Sequence, residues 1–276
     1  MTDIGSFKEQ GFALIERFLD ASVITRVRHD ARMVFLNQML NSGFVSSLET
    51  TEQEFERSLF EYFLKDREGF VNCGKTCQHL ISLHKLALHD PLIAQLNEFG
   101  LESPSICTRP VMYFNSRHLA VSEVYYKSPP HQDWRSMQGS LNATVIWVPL
   151  VDIDTELGAL ELIPGSHLLG LQDSTEDEWF RHIEGTNDDQ YVSVEAKAGD
   201  VLFFSAFLIH RSGDNTTDSI RWSCHFRYND LNERTFIDRK YPNPYVYKPE
   251  QRLITENFPD KPLLKRYFLD KKQGRN

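Results

Sequence analysis

The stretch SIRWSCHFRYND, residues 219 to 230, decides which kind of fold this chain adopts. Apolar and polar residues alternate along it at every second position. Since successive side chains of a β-strand point to opposite faces, this alternation predicts a strand with two different surfaces. The pattern places the strand between an apolar core and either a polar interior or solvent. The apolar face comprises Ile220, Trp222, Cys224, Phe226 and Tyr228, and the polar face comprises Arg221, Ser223, His225 and Arg227.

The segments before this strand have the same character back to about residue 105. They are short, rich in β-branched and aromatic residues, and broken by Gly, Pro, Asn and Asp, with no helical pattern between them. Such a succession is typical of an antiparallel sandwich or barrel. The segments are ICTRPVMYFN, VSEVYYK, NATVIWVPLVDI, ALELIPGSH and QYVSVEAKAGDVLFFSAFLIH.

Residues 6 to 105 show a helical pattern instead, with apolar residues at intervals of three and four. We predict helices over residues 19–40, with Asp20 or Ser22 as N-cap, over about 50–66, and over 77–90, the last ending at Pro91. The chain is therefore interpreted as one domain over residues 1–276. A helical part to about 105 precedes a β core over about 106–230 and a C-terminal extension over 231–276, whose basic end is interpreted as solvated.

Composition excludes several classes of partner. The formal net charge of −9 argues against nucleic acid or an anionic membrane, because both reward clustered Lys and Arg. The longest apolar runs are too short to span a bilayer, and the start of the chain does not resemble a signal peptide. The four cysteines lack the spacing of a zinc site, so reduced thiols are expected. We expect a cytoplasmic protein, monomeric or homodimeric, that acts on a small molecule.

The triplet HQD at residues 131 to 133 is a candidate metal-binding pair. In a strand end, His131 and Asp133 would project to the same side. Mononuclear Fe(II) is typically held by two His and one carboxylate with the other positions open, so a third ligand is required. His210 is the best-placed histidine for this role, because it ends an apolar strand and a turn follows it. Arg221 on the following strand indicates an anion, since a buried guanidinium is costly unless it is paired.

Together these motifs resemble the phytanoyl-CoA dioxygenase family of Fe(II)- and 2-oxoglutarate-dependent oxygenases, over about residues 7 to 228. The similar segments are FKEQGFALIERFL, HQD, WVPLVDIDTELGALELIPGSH and GDVLFFSAFLIHRSGDN. The resemblance implies a double-stranded β-helix, also called a jelly roll, that is cupin-like and flanked by α-helices. It also implies that His131, Asp133 and His210 bind Fe(II), and that Arg221 and Ser212 bind 2-oxoglutarate, with O2 as the second cosubstrate. Leu157 departs from the Asn that is frequent in the family.

The resemblance also bears on the reaction. Halogenases of similar sequence replace the iron-binding carboxylate with a small residue, so Asp133 favours hydroxylation of a small molecule, with release of succinate and CO2. Desaturation, epimerisation and ring closure remain open, as does a jelly-roll module that binds a ligand without turnover. Trp147 lies in a strand expected to line the barrel and is a candidate for cosubstrate contact or for the core. Trp134, Tyr126 and Arg109 are candidates for substrate contact, as is Tyr125.

Overall fold

The computed structural model describes residues 4–121, 127–176, 181–243 and 260–272. Most of the predicted strand VSEVYYK lies outside these ranges. Within them the helices are α1 (Ile4–Gln10), α2 (Ala21–Asn41), α3 (Glu52–Lys65), α4 (Arg67–Cys77), α5 (Ile81–Ala87), α6 (Asp90–Glu98), α7 (Trp134–Met137), α8 (Arg234–Asp238) and α9 (Lys261–Lys272). The strands are β1 (Phe12–Ile15), β2 (Pro104–Ile106), β3 (Val111–Asn115), β4 (Thr144–Pro149), β5 (Leu160–Leu162), β6 (Thr175–Glu176), β7 (Arg181–His182), β8 (Val192–Val194), β9 (Val201–Ser205), β10 (His210–Ser212) and β11 (Arg221–Asp230).

The larger sheet is antiparallel and has the order β1-β9-β4-β11. Both β2 and β3 pair with the remaining edge of β11, at its end and its start respectively. Every residue of β11 is buried, and the apolar side chains of its alternating pattern all belong to one core cluster. The predicted strand is therefore confirmed, and its polar side chains face the protein interior rather than solvent.

A second sheet, of order β10-β5-β8, faces the larger one. Alternate residues of β4 and β9, among them Trp147 and Phe204, share an apolar cluster with Leu160 and Leu162 of β5. The intervening residues of β4 and β9 point away and join the helical cluster. Because each buried strand contributes to two cores, its sequence is almost wholly apolar. The predicted antiparallel β core flanked by α-helices is confirmed.

The helices α2 to α6 pack on the outer face of the larger sheet, where the ring of Phe55 lies 6.2 Å from that of Trp222. The long helix α2 has nearly its predicted bounds, and α3 begins with a capping box at Thr51. The predicted stop at Pro91 was wrong, because Pro91 lies in the first turn of α6, where the missing N–H leaves no bond unmade. None of the helices in the described part of the chain combines the length and the apolar character that crossing a membrane requires.

The C-terminal extension differs from its interpretation as a solvated end. Leu264 and Phe268 of α9 are buried in the cluster between the two sheets. The ring of Phe268 packs edge-on against Phe207, with 5.0 Å between centroids. The helix therefore closes one end of the inner core. Its charged residues, which suggested solvation, surround an apolar stripe spaced by four positions.

Candidate active site

His131 and His210 lie side by side because their backbones pair. The His131 N–H donates to the His210 carbonyl at 2.9 Å, and the His210 N–H donates to the His131 carbonyl at 3.1 Å. The two imidazole centroids are 4.1 Å apart. His131 thus extends the smaller sheet beside β10, which places both rings on the side that faces β11.

Asp133 completes the cluster but does not lie in a strand as predicted. Its φ of −63° and ψ of −31° are helical, and α7 begins at the next residue. The turn still carries the carboxylate back to the histidines. One Asp133 oxygen lies 3.9 Å from His131 Nε2 and the other lies 4.0 Å from His210 Nε2. One ligand atom from each residue fits within a 4.8 Å group, the arrangement of a metal site.

Backbone carbonyls set the tautomers of both histidines. His131 Nδ1 lies 2.7 Å from the Pro129 carbonyl, and His210 Nδ1 lies 3.0 Å from the Leu208 carbonyl. Each Nδ1 therefore carries the proton and donates it, which leaves the Nε2 lone pair free for a metal. Burial and the neighbouring His131 lower the pKa of His210 to about 3. The His210 ring is consequently neutral at physiological pH, as a metal ligand must be.

The Asp133 carboxylate is held charged by its neighbours. Burial opposes its ionisation, but Arg227 and the two imidazoles outweigh that effect and keep the pKa of Asp133 below its usual range. Arg227 Nη2 donates to Oδ1 at 2.9 Å. Among the described residues, Oδ2 has no hydrogen-bond partner although it is buried. A buried carboxylate oxygen without a donor, next to two imidazole lone pairs, fits a divalent metal such as Fe(II).

Arg221 is the second notable group. It is 3 % exposed, and it donates to the Ser212 hydroxyl at 3.2 Å and to the Gly158 carbonyl. Its Nε has no partner among the described residues, and no carboxylate within them forms an ion pair with it. Burial lowers the pKa of Arg221 to about 10, so the guanidinium remains charged at neutral pH. A buried cation of this kind requires an anion.

Gly158 makes the approach of Arg221 possible. Its φ is +85°, which L side chains rarely adopt, and a Cβ there would lie 2.8 Å from the Gly213 carbonyl oxygen. The backbone can therefore turn its carbonyl towards the guanidinium only with glycine in this position. The departure from the family at Leu157 leaves this glycine in place.

One cavity between the sheets contains both groups. The described residues that line it are polar apart from one aliphatic side chain. They include the two candidate ligands His131 and His210 as well as Arg221 and Ser212. The lining residues are Tyr113, Ser128, His131, Leu160, His210, Arg211, Ser212, Arg221, His225 and Arg227. The cavity thus joins the candidate metal-binding cluster to the candidate anion-binding residues.

The structure places the other predicted contacts elsewhere. Trp147 is fully buried in the inner core and does not line the cavity, so cosubstrate contact by Trp147 remains only a prediction. Trp134 is also fully buried, and its indole donates to the Ser140 carbonyl at 2.8 Å. Arg109 is exposed and donates to Gln78. The cavity therefore gives no support to substrate contact by Trp134 or Arg109, and Tyr125 and Tyr126 lie outside the described residues.

Two residues near the motifs are structural. Gln132 donates to the carbonyls of Gly170 and Phe207, and its own oxygen accepts from the Gln172 N–H. Gln132 therefore links the loop at Gly170 and Gln172 to the loop at Phe207. His167, in the turn after β5, is buried and bonds to the Lys8 carbonyl. These contacts give Gln132 and His167 a role in packing.

Sequence reasoning named Arg227 and His225 but gave neither a role at the site. Both lie on the polar face of β11, where His225 follows Arg221 by four residues and Arg227 follows it by six. The His225 ring packs on Tyr113, with 4.8 Å between centroids, and burial lowers its pKa well below the usual value. The alternation of the strand could have identified them, because it predicts that His225 and Arg227 share one face with Arg221.

Comparison with known proteins agrees with this geometry. A sequence model of the family described as phytanoyl-CoA dioxygenase (PhyH) matches residues 7–223. The phytanoyl-CoA dioxygenase domain-containing protein 1 homolog of Dictyostelium discoideum is 26 % identical over 258 residues, which cover 81 % of this chain and 89 % of the relative.

Solved structures show the same fold. The non-heme monooxygenase ThoJ aligns with a TM-score of 0.59 at 14 % identity, covering 99 % of this chain and 100 % of that one. The epimerase SnoN, solved with Fe3+, alpha ketoglutarate and nogalamycin RO, aligns with a TM-score of 0.56 at 19 % identity, covering 82 % of each chain. The predicted double-stranded β-helix is confirmed by these likenesses.

Proposed function

The chain belongs to the phytanoyl-CoA dioxygenase family and is an Fe(II)- and 2-oxoglutarate-dependent dioxygenase, and we propose that it hydroxylates a small, polar molecule. The overall change is the insertion of one oxygen atom of O2 into a substrate C–H bond. The other oxygen atom goes to 2-oxoglutarate, which becomes succinate and CO2. The observation that carries this proposal is the cavity that His131 and His210, two members of the cluster with Asp133, share with the buried Arg221.

Each residue of the cluster has a defined role in this proposal. His131 and His210 would hold the metal through their Nε2 atoms, and Asp133 would hold it through a carboxylate oxygen. When bound there, Fe(II) together with 2-oxoglutarate activates O2 for attack on a C–H bond. Arg221 and Ser212 receive the distal carboxylate of 2-oxoglutarate, since a buried guanidinium and a hydroxyl can bind it together. The apolar layers on both sides of the sheet keep bulk water out.

Hydroxylation is favoured because Asp133 supplies a carboxylate to the cluster. With a carboxylate in this position, no ligand site is released for a halide. A structural neighbour is an epimerase, so the same fold also supports a reaction without oxygen insertion. The outcome depends on which atom of the substrate faces the metal, and the test below distinguishes the outcomes by mass.

A polar substrate is supported by the described walls of this cavity and of a second cavity that shares Ser128, Arg211 and Ser212 with it. The second cavity is lined by Lys127, Ser128, Pro129, Pro130, Glu161, Asp188, Arg211, Ser212 and Asp214. Its acidic and basic groups pair with each other, as Arg211 does with Glu161 and Asp188. These walls place charged and hydroxyl groups beside Pro129 and Pro130, so the hydroxyl and amide groups of a polar substrate would find hydrogen-bond partners.

The proposal also covers the location of the protein, its partners and its oligomeric state. All four cysteines are buried and free, which is common in proteins of reducing compartments and supports a cytoplasmic location. The acidic net charge supports a function without nucleic acid or membrane partners. The polar cavity is contained within one chain, and we infer that a monomer or a homodimer is the active form.

The experiment begins with the anaerobic Fe(II)-loaded protein. Adding 2-oxoglutarate should produce a metal-to-ligand absorption band, and adding O2 should then yield succinate. Small-molecule pools are next incubated under 18O2 and compared by mass spectrometry. A product that is heavier by one 18O atom supports hydroxylation, a product two hydrogens lighter indicates desaturation or ring closure, and a product of unchanged mass indicates epimerisation. Absence of both the band and succinate would overturn the proposal.

A further inference from the structure

We propose that Arg227 is a positioning residue that restricts Asp133 to metal ligation through one oxygen and thereby keeps a coordination position open for 2-oxoglutarate. This inference rests on the proposed function, because it assumes that the cluster binds a divalent metal. In this proposal the buried Arg227 binds neither the metal nor the distal carboxylate of 2-oxoglutarate.

The contact between Arg227 and Asp133 is direct and enclosed. Arg227 Nη2 lies 2.9 Å from Asp133 Oδ1, and the two side chains are 6 % and 5 % exposed. A charge-assisted hydrogen bond at this distance orients a carboxylate strongly. It also draws electron density from Oδ1, which makes Oδ1 a weaker donor to a metal. The other oxygen, Oδ2, is buried without a hydrogen-bond partner among the described residues and faces His210 Nε2.

Strand pairing and burial fix the position of the Arg227 backbone. Residue 227 pairs with Val145 of β4 in the middle of the larger sheet, and its neighbours on β11 are all buried. Arg221 lies six positions earlier on the same face, so one strand carries two buried guanidiniums towards one cavity. Arg221 has no carboxylate partner within the described residues, whereas Arg227 is bonded to Asp133. The strand therefore separates an anion-binding arginine from a ligand-orienting one.

The number of open positions on the metal explains why this matters. Two histidines and one carboxylate oxygen leave three sites of an octahedral metal, which 2-oxoglutarate and O2 would share. If both oxygens of Asp133 bound the metal, one of these sites would be filled. Loss of Arg227 should therefore weaken the binding of 2-oxoglutarate more than the binding of the metal. A purely structural arginine would affect neither one selectively.

The test uses Co(II) as the probe metal with the full chain. The affinities of wild type, Arg227→Met and Arg227→Lys for Co(II), and then for 2-oxoglutarate at saturating Co(II), are measured by absorption titration. For Arg227→Met we expect the affinity for Co(II) to fall by about 10-fold, the low end for a lost ligand-orienting partner, and the affinity for 2-oxoglutarate to fall by more than this. Arg227→Lys should recover part of the loss, because its ammonium can still donate to Oδ1. Difference infrared spectra with 13C-labelled aspartate should show a smaller splitting of the carboxylate bands in Arg227→Met, the sign of two-oxygen binding.

The matched control is Arg239→Met. Arg239 is as buried as Arg227 and donates to the backbone carbonyls of Gln138 and Gly139, outside the cavity. We expect it to retain wild-type affinities for Co(II) and 2-oxoglutarate, which separates the role of Arg227 from the general loss of a buried arginine.

Each outcome decides one question. Wild-type 2-oxoglutarate affinity and unchanged carboxylate bands in Arg227→Met would overturn the inference. Should Arg227→Met not fold, judged by circular dichroism, Arg227→Lys decides: wild-type values for both readouts overturn the inference, and a reduced affinity with shifted bands supports it. Failure of wild type to bind Co(II), or equal binding by Asp133→Asn, would refute the metal site and hence the proposed function itself.

Discussion

His131 and His210 are each other's backbone partners in an antiparallel bridge, with hydrogen bonds of 2.9 and 3.1 Å in the two directions. This pairing, and not proximity in sequence, aligns two imidazoles with 4.1 Å between their centroids. A residue pair that exchanges both bonds has a defined separation and a shared facing direction. The bridge therefore orients two of the three candidate metal ligands through the backbone alone.

Removal of a histidine ligand should abolish metal binding. In His210→Ala we expect the affinity for Co(II) to fall by more than about 100-fold, since even partners that only orient a ligand contribute 10- to 100-fold. Succinate formation with Fe(II) should be lost as well. Isothermal titration and succinate assays provide the measurements. His29→Ala, a change on the exposed surface of α2, should keep wild-type values, and retention of binding by His210→Ala would contradict the assignment.

Arg221 should contribute to the binding of 2-oxoglutarate but not of the metal. Replacement by Met removes charge-assisted hydrogen bonds worth about 1.5–3 kcal/mol, so the Kd for 2-oxoglutarate should rise by about 10- to 100-fold. The titration is carried out at saturating Co(II), whose own affinity should be unchanged. Arg117→Met serves as the control, because Arg117 forms an exposed ion pair with Asp218. Equal 2-oxoglutarate affinity in both variants would show that the anion binds elsewhere.

The cysteines should be unreactive in the native state. Burial raises the pKa of Cys77 to about 12 and that of Cys107 to about 11. Because the thiolate is the reactive form, a thiol reagent at pH 8 should label the native protein far more slowly than the urea-unfolded chain. Rapid labelling of the native protein would contradict the buried arrangement.

The same thiols predict a loss of stability at alkaline pH. In the unfolded chain a cysteine ionises near its usual pKa of about 8.5, whereas the folded protein retains the proton to higher pH. The unfolded state therefore binds fewer protons between about pH 9 and pH 11, and the free energy of unfolding falls as the pH rises through this range. Urea denaturation at pH 8 and pH 10 measures the difference. A free energy of unfolding that is equal or larger at pH 10 would be inconsistent with the buried thiols.

The C-terminal helix should contribute to the stability of the core. Phe268→Ala should lower the free energy of unfolding by about 3 kcal/mol, because it leaves a cavity beside Phe207. Leu269→Ala is the matched control, since Leu269 is 41 % exposed and should change the free energy by less than about 0.5 kcal/mol. Urea denaturation at pH 7 measures both. Equal values for the two variants would show that α9 does not stabilise the fold.

Local patterns in the sequence predicted the parts of the fold whose causes are local. The alternation in β11 predicted both of its faces, and the apolar spacing in α2 predicted that helix within one or two residues. Pro91 does not end the preceding helix as predicted, since a proline after one helix and a proline in the first turn of the next cannot be distinguished from the preceding residues alone. Substrate contact by Trp134 stays a prediction without structural support, because the side chain next to Asp133 is buried and packs against Phe207.

By itself, the sequence determined the alternation of strand faces, the set of two histidines and one aspartate, and an arginine on the strand that follows His210. These are properties of spacing and residue type, which act within a few positions of the chain. Only the tertiary structure decided which residues meet. The Arg227–Asp133 pair joins positions separated by 94 residues, and Arg221 reaches Gly158 across 63. Such contacts depend on strand register and on the packing of two sheets, which the side-chain period does not encode.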